Sequence, residues 1–181
     1  MLRFKHTIKP ALVLTLTSIL TGCAAPARID QMAVNKVYSN QAASELRGNI
    51  GNIEVTGGTD TNPMWASKVS SSAFQRALEE SLKAAGLFNT FGASNRYQLT
   101  ADLLNLDQPA FGLDMTVSSN VRYSLIERTS RKEIFSKVIQ ANYVAKFSDA
   151  FAAAQRLQLA NEGSIRANIT ALIEELNQVK P

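Results

Sequence analysis

Histidine and cysteine are almost absent from this chain: each occurs once in 181 residues, as His6 and Cys23. Both lie in the first 23 residues, so nearly all of the sequence lacks the side chains of the common nucleophile–base pairs. The same scarcity argues against a zinc site with histidine or cysteine ligands, and a single cysteine permits no disulfide within the chain. The composition therefore predicts a protein that is not an enzyme and that uses no metal or cofactor.

Acidic residues are also missing from the N-terminus, where Arg3, Lys5 and Lys9 precede ten mostly apolar residues at 11–20. Ten residues are too few to cross a bilayer, which takes about 20, but a basic start followed by a short apolar run is typical of a secretory signal. Removal of residues 1–22 leaves 16 basic and 15 acidic residues, a net charge of +1. The high isoelectric point of the whole chain therefore does not indicate a nucleic-acid partner.

The apolar run ends in the sequence LTGC, which comprises Leu20, Thr21, Gly22 and Cys23. An aliphatic residue, two small residues and a cysteine resemble the lipobox of bacterial lipoproteins. The resemblance implies that the Cys23 thiol receives a diacylglycerol, that a peptidase cuts between Gly22 and Cys23, and that the new amino group is acylated. Several acyl chains hold a protein stably, since each buried methylene contributes about 0.8 kcal/mol. A general secretory signal with a chance cysteine is the alternative.

The residue after the cysteine is Ala24. In Gram-negative lipoproteins an aspartate at this position commonly retains the protein in the inner membrane, so the resemblance implies the periplasmic face of the outer membrane. We expect a signal peptide at 1–22, a lipid anchor and polar tether at 23–48, and a single folded domain at 49–181. Residues 32–38, MAVNKVY, also fit a short edge strand.

Hydrophobic periodicity predicts an α+β domain in which an antiparallel sheet of about four strands has two helices packed on one face. Asn62 and Pro63 suit the start of the first helix, and Gly86 suits its end. Gly163 is expected to kink or split the second helix. The predicted order is strand 49–58, helix 59–88, strand 96–106, strand 113–127, polar turn 128–132, strand 133–147 and helix 149–179. The strands at 113–127 and 133–147 form a predicted hairpin. Apolar periodicity predicts that three sets of residues share one face of their element: Tyr97, Leu99, Ala101 and Leu103; Met115, Val117, Val121, Tyr123 and Leu125; and Ile165, Ile169, Leu172 and Leu176.

The first helix and the strand after it resemble those of small periplasmic lipoproteins, namely the YajG-like proteins and the auxiliary lipoproteins of envelope ABC transporters. Their pattern F..AL...L...G.F followed by Y.L covers about 80 residues and implies a fold and an envelope setting rather than a reaction. It is matched here by Phe74, Ala77, Leu78, Leu82, Gly86, Phe88, Tyr97 and Leu99.

Two loops contain residues that could form a small binding site. Gly57 and Gly58 link a strand to a helix, where backbone N–H groups can bind phosphate. The P-loop lysine and the spacing of the dinucleotide fingerprint are missing, and a glycine turn explains the pair equally well. Ser70, Ser71 and Ser72 follow Lys68, but the order S-x-x-K of serine–lysine hydrolases does not occur.

Three carboxylates, Asp102, Asp107 and Asp114, lie on or between neighbouring predicted strands. Paired carboxylates catalyse glycoside hydrolysis when they face each other across a cleft. Nothing in the sequence sets their separation, and solvent-facing or loop positions explain all three.

Phe111 and Leu113 are apolar residues in the predicted loop between two strands, and Trp65 lies in the predicted first helical turn. Exposed apolar loop residues mark a partner or membrane contact. The alternative is that all three side chains close one end of the core.

The sequence thus favours a non-enzymatic outer-membrane lipoprotein, attached through lipid on Cys23, whose domain binds envelope proteins as an accessory or assembly subunit. A small-ligand or lipid-binding module is the second hypothesis and requires a cleft between the helices and the sheet. A carboxylate-based envelope hydrolase is the third and requires two acidic groups that converge in a pocket.

Overall fold

The computed structural model describes residues 23–35, 45–64, 66–89 and 95–180. A four-stranded sheet in the order β1-β2-β3-β4 has two long helices packed on one face, which confirms the predicted α+β class and strand count. The elements are α1 (Ile29–Met32), β1 (Ile50–Thr56), α2 (Ser71–Ala84), β2 (Tyr97–Asp107), β3 (Met115–Glu127), β4 (Glu133–Ala145), a 3₁₀ turn (Phe147–Asp149) and α3 (Ala153–Leu176).

The sheet is mixed, because β1 pairs in parallel with β2 whereas β2, β3 and β4 pair antiparallel. The parallel pair differs from the wholly antiparallel sheet expected from the sequence. Its cause is the intervening α2, which returns the chain across the sheet face so that β2 runs in the same direction as β1. The predicted hairpin of β3 and β4 is confirmed.

Helix α2 begins at Ser71. The predicted start of this helix at Asn62 and Pro63 is therefore wrong. Ser70 is the N-cap, and its hydroxyl accepts a hydrogen bond from the Ala73 N–H at 3.2 Å. Asn62 instead closes a local turn, in which its side-chain oxygen accepts from the Met64 N–H at 3.0 Å. An Asx turn of this kind competes with helix initiation. The predicted helix end is confirmed by Gly86, whose φ is 73°.

Alternate residues of each strand point into the core between the sheet and the helices. On β2 the predicted inward set of Tyr97, Leu99, Ala101 and Leu103 is buried. On α3 the predicted stripe of Ile165, Ile169, Leu172 and Leu176 is fully buried. Period-2 and period-3.6 patterns therefore located both faces of this core correctly.

Helix α3 continues without interruption through Gly163, so the predicted kink or split is wrong. A Cβ atom at this position would lie 2.2 Å from Cγ of Tyr143. The glycine therefore allows close contact between the helix and a ring on the edge strand β4.

The segment before β1 is packed on the domain over residues 24–34, in contrast to the predicted tether. Ala24, Met32 and Val34 are buried, and the Val34 N–H donates to the Ser81 hydroxyl of α2 at 2.8 Å. Met32 ends α1, and residues 36–38 of the alternative edge strand lie outside the described residues.

Candidate functional site

Cys23 is exposed, and the chain attaches to the domain directly after it. The Ala24 N–H donates to the Pro63 carbonyl at 2.9 Å, and the Ala27 N–H donates to the Lys68 carbonyl at 3.2 Å. Residues 24–27 therefore lie against the loop between β1 and α2.

The same segment also runs along α3, in the same direction as the helix. The Arg28 guanidinium and backbone N–H bind the buried carboxylate of Glu162 at 2.9–3.1 Å. The Pro26 carbonyl accepts from the Gln158 side chain, one turn nearer the start of the helix, at 2.9 Å. The path from Arg28 back to Cys23 thus leads toward the N-terminal end of α3.

Large apolar side chains are exposed at this end of the domain. Phe111 and Leu113 belong to the loop between β2 and β3, and the two are 87% and 74% exposed. Phe147 and Phe151 belong to the connection between β4 and α3, and Phe151 is 87% exposed. Met64, which follows the Ala24 partner Pro63, is 90% exposed. We call Met64, Phe111, Leu113, Phe147 and Phe151 the apolar end surface.

A buried arginine holds two loops of the apolar end surface. Arg156 is 4% exposed, and it donates to the carbonyls of Ala150 and Phe151 at 2.7 Å each and to the Gly112 carbonyl at 3.5 Å. Phe147 and Phe151 meet edge to face, with their ring centroids 5.7 Å apart. The aromatic side chains therefore project from a backbone that the arginine fixes.

The two carboxylates at these loops bind backbone amides. Asp114 accepts from the Phe147 N–H at 2.9 Å, which joins the β2–β3 loop to the β4–α3 connection. Asp149 accepts from the Lys146 N–H at 2.8 Å. Both side chains stabilise turns that present aromatic rings.

An open groove of about 550 Å³ lies between the β1–α2 loop, the β2–β3 loop and the start of α3. Ala66 lies on one side of it, and Ala110 lies on another. These residues are two positions from Met64 and one from Phe111, so the groove connects the parts of the apolar end surface. Its apolar lining includes Leu106, Pro109, Met115, Ala153, Ala154 and Leu157.

A network of polar side chains joins the three walls of this groove. The Lys68 ammonium donates to the Gln108 side-chain oxygen at 2.6 Å. The Gln108 amide donates in turn to the Ser67 carbonyl at 2.8 Å and to the Asn161 side chain at 2.7 Å. Asn161 also donates to the Ser67 carbonyl, at 3.0 Å. The network positions the loop that carries Phe111 relative to α3.

The three candidate carboxylates do not converge. Asp102 lies beside Thr56 and Arg122 on the open face of the sheet. Asp107 accepts from the Asn105 side chain, and Asp114 binds the Phe147 amide as described. Each therefore has a local structural partner.

The glycine and serine candidates also have structural roles. Gly57 has a φ of 80°, and a Cβ there would lie 2.3 Å from the Leu103 carbonyl oxygen. The Gly58 N–H donates to the Ser71 hydroxyl at 2.9 Å. The Gly58 amide of the candidate phosphate loop thus already has a partner in the protein.

The predicted lipobox residues Leu20, Thr21 and Gly22 lie outside the described residues, as does Trp65. Arg156, Glu162 and Asn161 were not predicted as site residues, because polar residues on a helix usually indicate a solvated face. Across the described ranges of 23–180, no helix combines the length and the apolar character needed to cross a membrane.

No protein-family model matches the sequence, and no curated protein matches it. Solved structures of other proteins are similar to this chain at low sequence identity. An inferred lipoprotein from Caulobacter crescentus is 11% identical, with a TM-score of 0.50 over 74% of this chain and 93% of that one. A DUF330-family protein from Xanthomonas campestris is 9% identical, with a TM-score of 0.49 over 73% and 86% of the two chains. A minor lipoprotein from Acinetobacter baumannii is 12% identical, with a TM-score of 0.46 over 73% and 92%.

Proposed function

We propose that this chain is a lipid-anchored lipoprotein of the bacterial envelope whose domain is a non-enzymatic accessory subunit. The lipobox-like sequence LTGC ends at Cys23, and the Cys23 side chain is exposed where a modifying enzyme could reach it. Ala24 favours the periplasmic face of the outer membrane over the inner membrane.

The observation that carries the proposal is the apolar end surface beside Cys23. Five large apolar side chains are exposed there, and Arg156, Asp114 and Asp149 hold the two loops that present four of them, Phe111, Leu113, Phe147 and Phe151. Exposed apolar patches on a rigid support mark sites of interaction. The surface is thus suited to contact with another envelope component, whereas the carboxylates near it bind backbone amides.

Metabolic labelling with a palmitate analogue, followed by membrane fractionation, tests the anchor. The wild-type protein should incorporate label and fractionate with the outer membrane. Cys23→Ser is the matched control, and it should remain an unlabelled precursor of larger mass. Equal size and equal fractionation of the two proteins would contradict the proposal.

Crosslinking in intact cells tests the accessory role. Capture through a C-terminal tag should recover one defined envelope protein with the wild type and lose it with Cys23→Ser. Recovery of no protein from correctly anchored wild type would contradict the accessory role while leaving the anchor intact.

The groove beside the apolar end surface favours a second candidate function, the binding of a small apolar ligand. Its volume of about 550 Å³ is within the usual range for ligand sites. Mass spectrometry of the protein purified under native conditions would show such a ligand. Ala154→Trp, which fills the groove, should then abolish its retention.

A further inference from the structure

We infer that the apolar end surface faces the lipid bilayer and that the domain sits directly on the membrane rather than at the end of a tether. This inference rests on the proposed function, since it needs lipid on Cys23. It adds the orientation of the domain and the chemical class of component that the surface contacts, a phospholipid bilayer.

The short connection between Cys23 and the domain is the first argument. Ala24, the next residue, is 5% exposed and donates its N–H to the Pro63 carbonyl. Consecutive Cα atoms are about 3.8 Å apart, so a lipid on Cys23 starts within one residue of the folded surface. Acyl chains inserted in a bilayer therefore hold this end of the domain at the headgroup region.

The position of the exposed apolar residues is the second argument. Met64 adjoins the Ala24 partner Pro63, and Phe151 lies just before the start of α3, toward which Cys23 points. Ala110, the neighbour of Phe111, lines the groove that adjoins both segments. The exposed apolar side chains are thus concentrated at the end of the domain that lipid on Cys23 would hold against the bilayer. Apolar side chains that enter the headgroup boundary to a depth of about 5–10 Å are stabilised there.

The charges near the surface indicate which lipids suffice. Asp107, Asp114, Lys146 and Asp149 are exposed near this end, and the half-buried Lys68 lines the groove together with Asp107. Asp114 and Asp149 bind backbone amides. With Arg156 included, the described residues of this end have three acidic and three basic side chains and thus no excess of positive charge. We therefore expect zwitterionic phospholipids to be enough and the contact to depend little on salt.

The opposite end of the domain provides an internal control. The β3–β4 turn at residues 128–132 is one strand length from the apolar end surface. A strand of 13 residues spans about 40 Å, which is more than the depth of the headgroup region. Thr129, an exposed residue of this turn, should remain in water.

Fluorescence quenching tests the orientation. Three variants of the full chain, Phe111→Trp, Phe151→Trp and Thr129→Trp, are made with Trp65→Phe so that each has one tryptophan. The lipidated proteins are purified from membranes and reconstituted in vesicles of phosphatidylcholine and phosphatidylethanolamine with brominated acyl chains. Tryptophan at 111 and 151 should show blue-shifted emission and lose about half or more of its intensity. Tryptophan at 129 should emit as in water and lose little.

The intact mass of the protein in the same samples distinguishes a wrong orientation of the domain from a missing lipid anchor. If Cys23 carries lipid and tryptophan at 111 and 151 is quenched no more than at 129, the orientation is wrong and the proposed anchor stands. If Cys23 carries no lipid, the proposed function fails, and the orientation fails with it.

Photocrosslinking in cells distinguishes lipid from a protein at this surface. With Phe111→p-benzoylphenylalanine, an adduct with phospholipid supports the inference. A discrete protein adduct at this position would overturn it and assign the surface to a protein partner.

Discussion

The guanidinium of the buried Arg156 lies 5.1 Å from the ring centroid of Phe147. The same guanidinium donates to the Phe151 carbonyl, so one cation contacts both aromatic residues of the β4–α3 connection. A buried cation with carbonyl and ring partners favours one loop conformation, because any other conformation leaves the charge without compensation. The aromatic side chains of the apolar end surface are therefore preorganised for contact.

Arg156→Met should lower the free energy of unfolding by about 2–3 kcal/mol, since it removes charged hydrogen bonds to buried carbonyls. Urea denaturation measures the change. Arg122→Met is the matched control: Arg122 is exposed on the open sheet face, 3.8 Å from Asp102, and such pairs contribute about 0–1 kcal/mol. Equal losses in both variants would contradict the anchoring role of Arg156.

Loss of the hydroxyl should affect the free energy of unfolding differently at two buried tyrosines, Tyr123 and Tyr97. The Tyr123 hydroxyl donates to the Asn168 side chain at 2.9 Å, so Tyr123→Phe should lower the free energy of unfolding by about 1–3 kcal/mol. The Tyr97 hydroxyl is buried and has no hydrogen-bond partner among the described residues. Tyr97→Phe should therefore be neutral or stabilising. Thermal and urea denaturation measure both, and a larger loss for Tyr97→Phe would contradict the assignment.

Burial raises the pKa of the Tyr123 hydroxyl well above its ordinary value. The folded state then holds this proton more tightly than the unfolded state, so its contribution to stability is complete below pH about 10 and declines as the pH rises further. In Tyr123→Phe the free energy of unfolding should decline less between pH 9 and about 11 than in the wild type. Parallel curves for the two proteins would show that another group controls the alkaline limit.

Gly163→Ala should destabilise the fold although alanine favours helices by about 1 kcal/mol over glycine. Its methyl group would lie 2.2 Å from the Tyr143 ring, and overpacking of this kind costs about 1–3 kcal/mol. In a Tyr143→Ala background, where the ring is absent, the same substitution should instead be neutral or stabilising. Urea denaturation of the four proteins measures the coupling, and a loss independent of Tyr143 would contradict the contact.

Sequence periodicity was sufficient for the sheet and the helical stripes because burial alternates regularly along them. On β3, for example, Val117, Val121, Tyr123 and Leu125 point inward, as the pattern predicted. The parallel β1–β2 pair depends on the helical crossover through α2, which returns the chain to the end of the sheet where β1 begins, and the predicted strand–helix–strand order already favours this arrangement. The late start of α2 likewise depends on Asn62, whose side chain accepts a hydrogen bond within a turn instead of capping a helix.

Only some residues of the candidate site could be predicted from the sequence. Cys23, Phe111 and Leu113 were identified from local context, because apolar loop residues and a cysteine behind an apolar run are distinctive. Arg156 and Glu162 were missed, since their partners are backbone carbonyls and an arginine distant in sequence. Such contacts appear only when the N-terminal segment and the loops are placed on α3.

The ion pair between Arg28 and Glu162 connects the anchor to the orientation of the domain. Glu162 is 1% exposed, and both of its carboxylate oxygens accept from Arg28. Glu162→Ala should release the segment that follows Cys23, so that amide hydrogen exchange at residues 28–34 becomes about ten- to a hundredfold faster. Glu174→Ala is a control on the same helix, because Glu174 is exposed, and it should leave this exchange unchanged.

If the N-terminal segment holds the domain on the membrane, its release should also weaken the membrane contact. In lipidated Phe111→Trp protein, the added Glu162→Ala change should reduce quenching by brominated lipid, because a released segment acts as a tether and lets the domain tilt away. Fast exchange with undiminished quenching would show that the apolar end surface holds the bilayer by itself. Slow exchange would contradict the role assigned to Glu162.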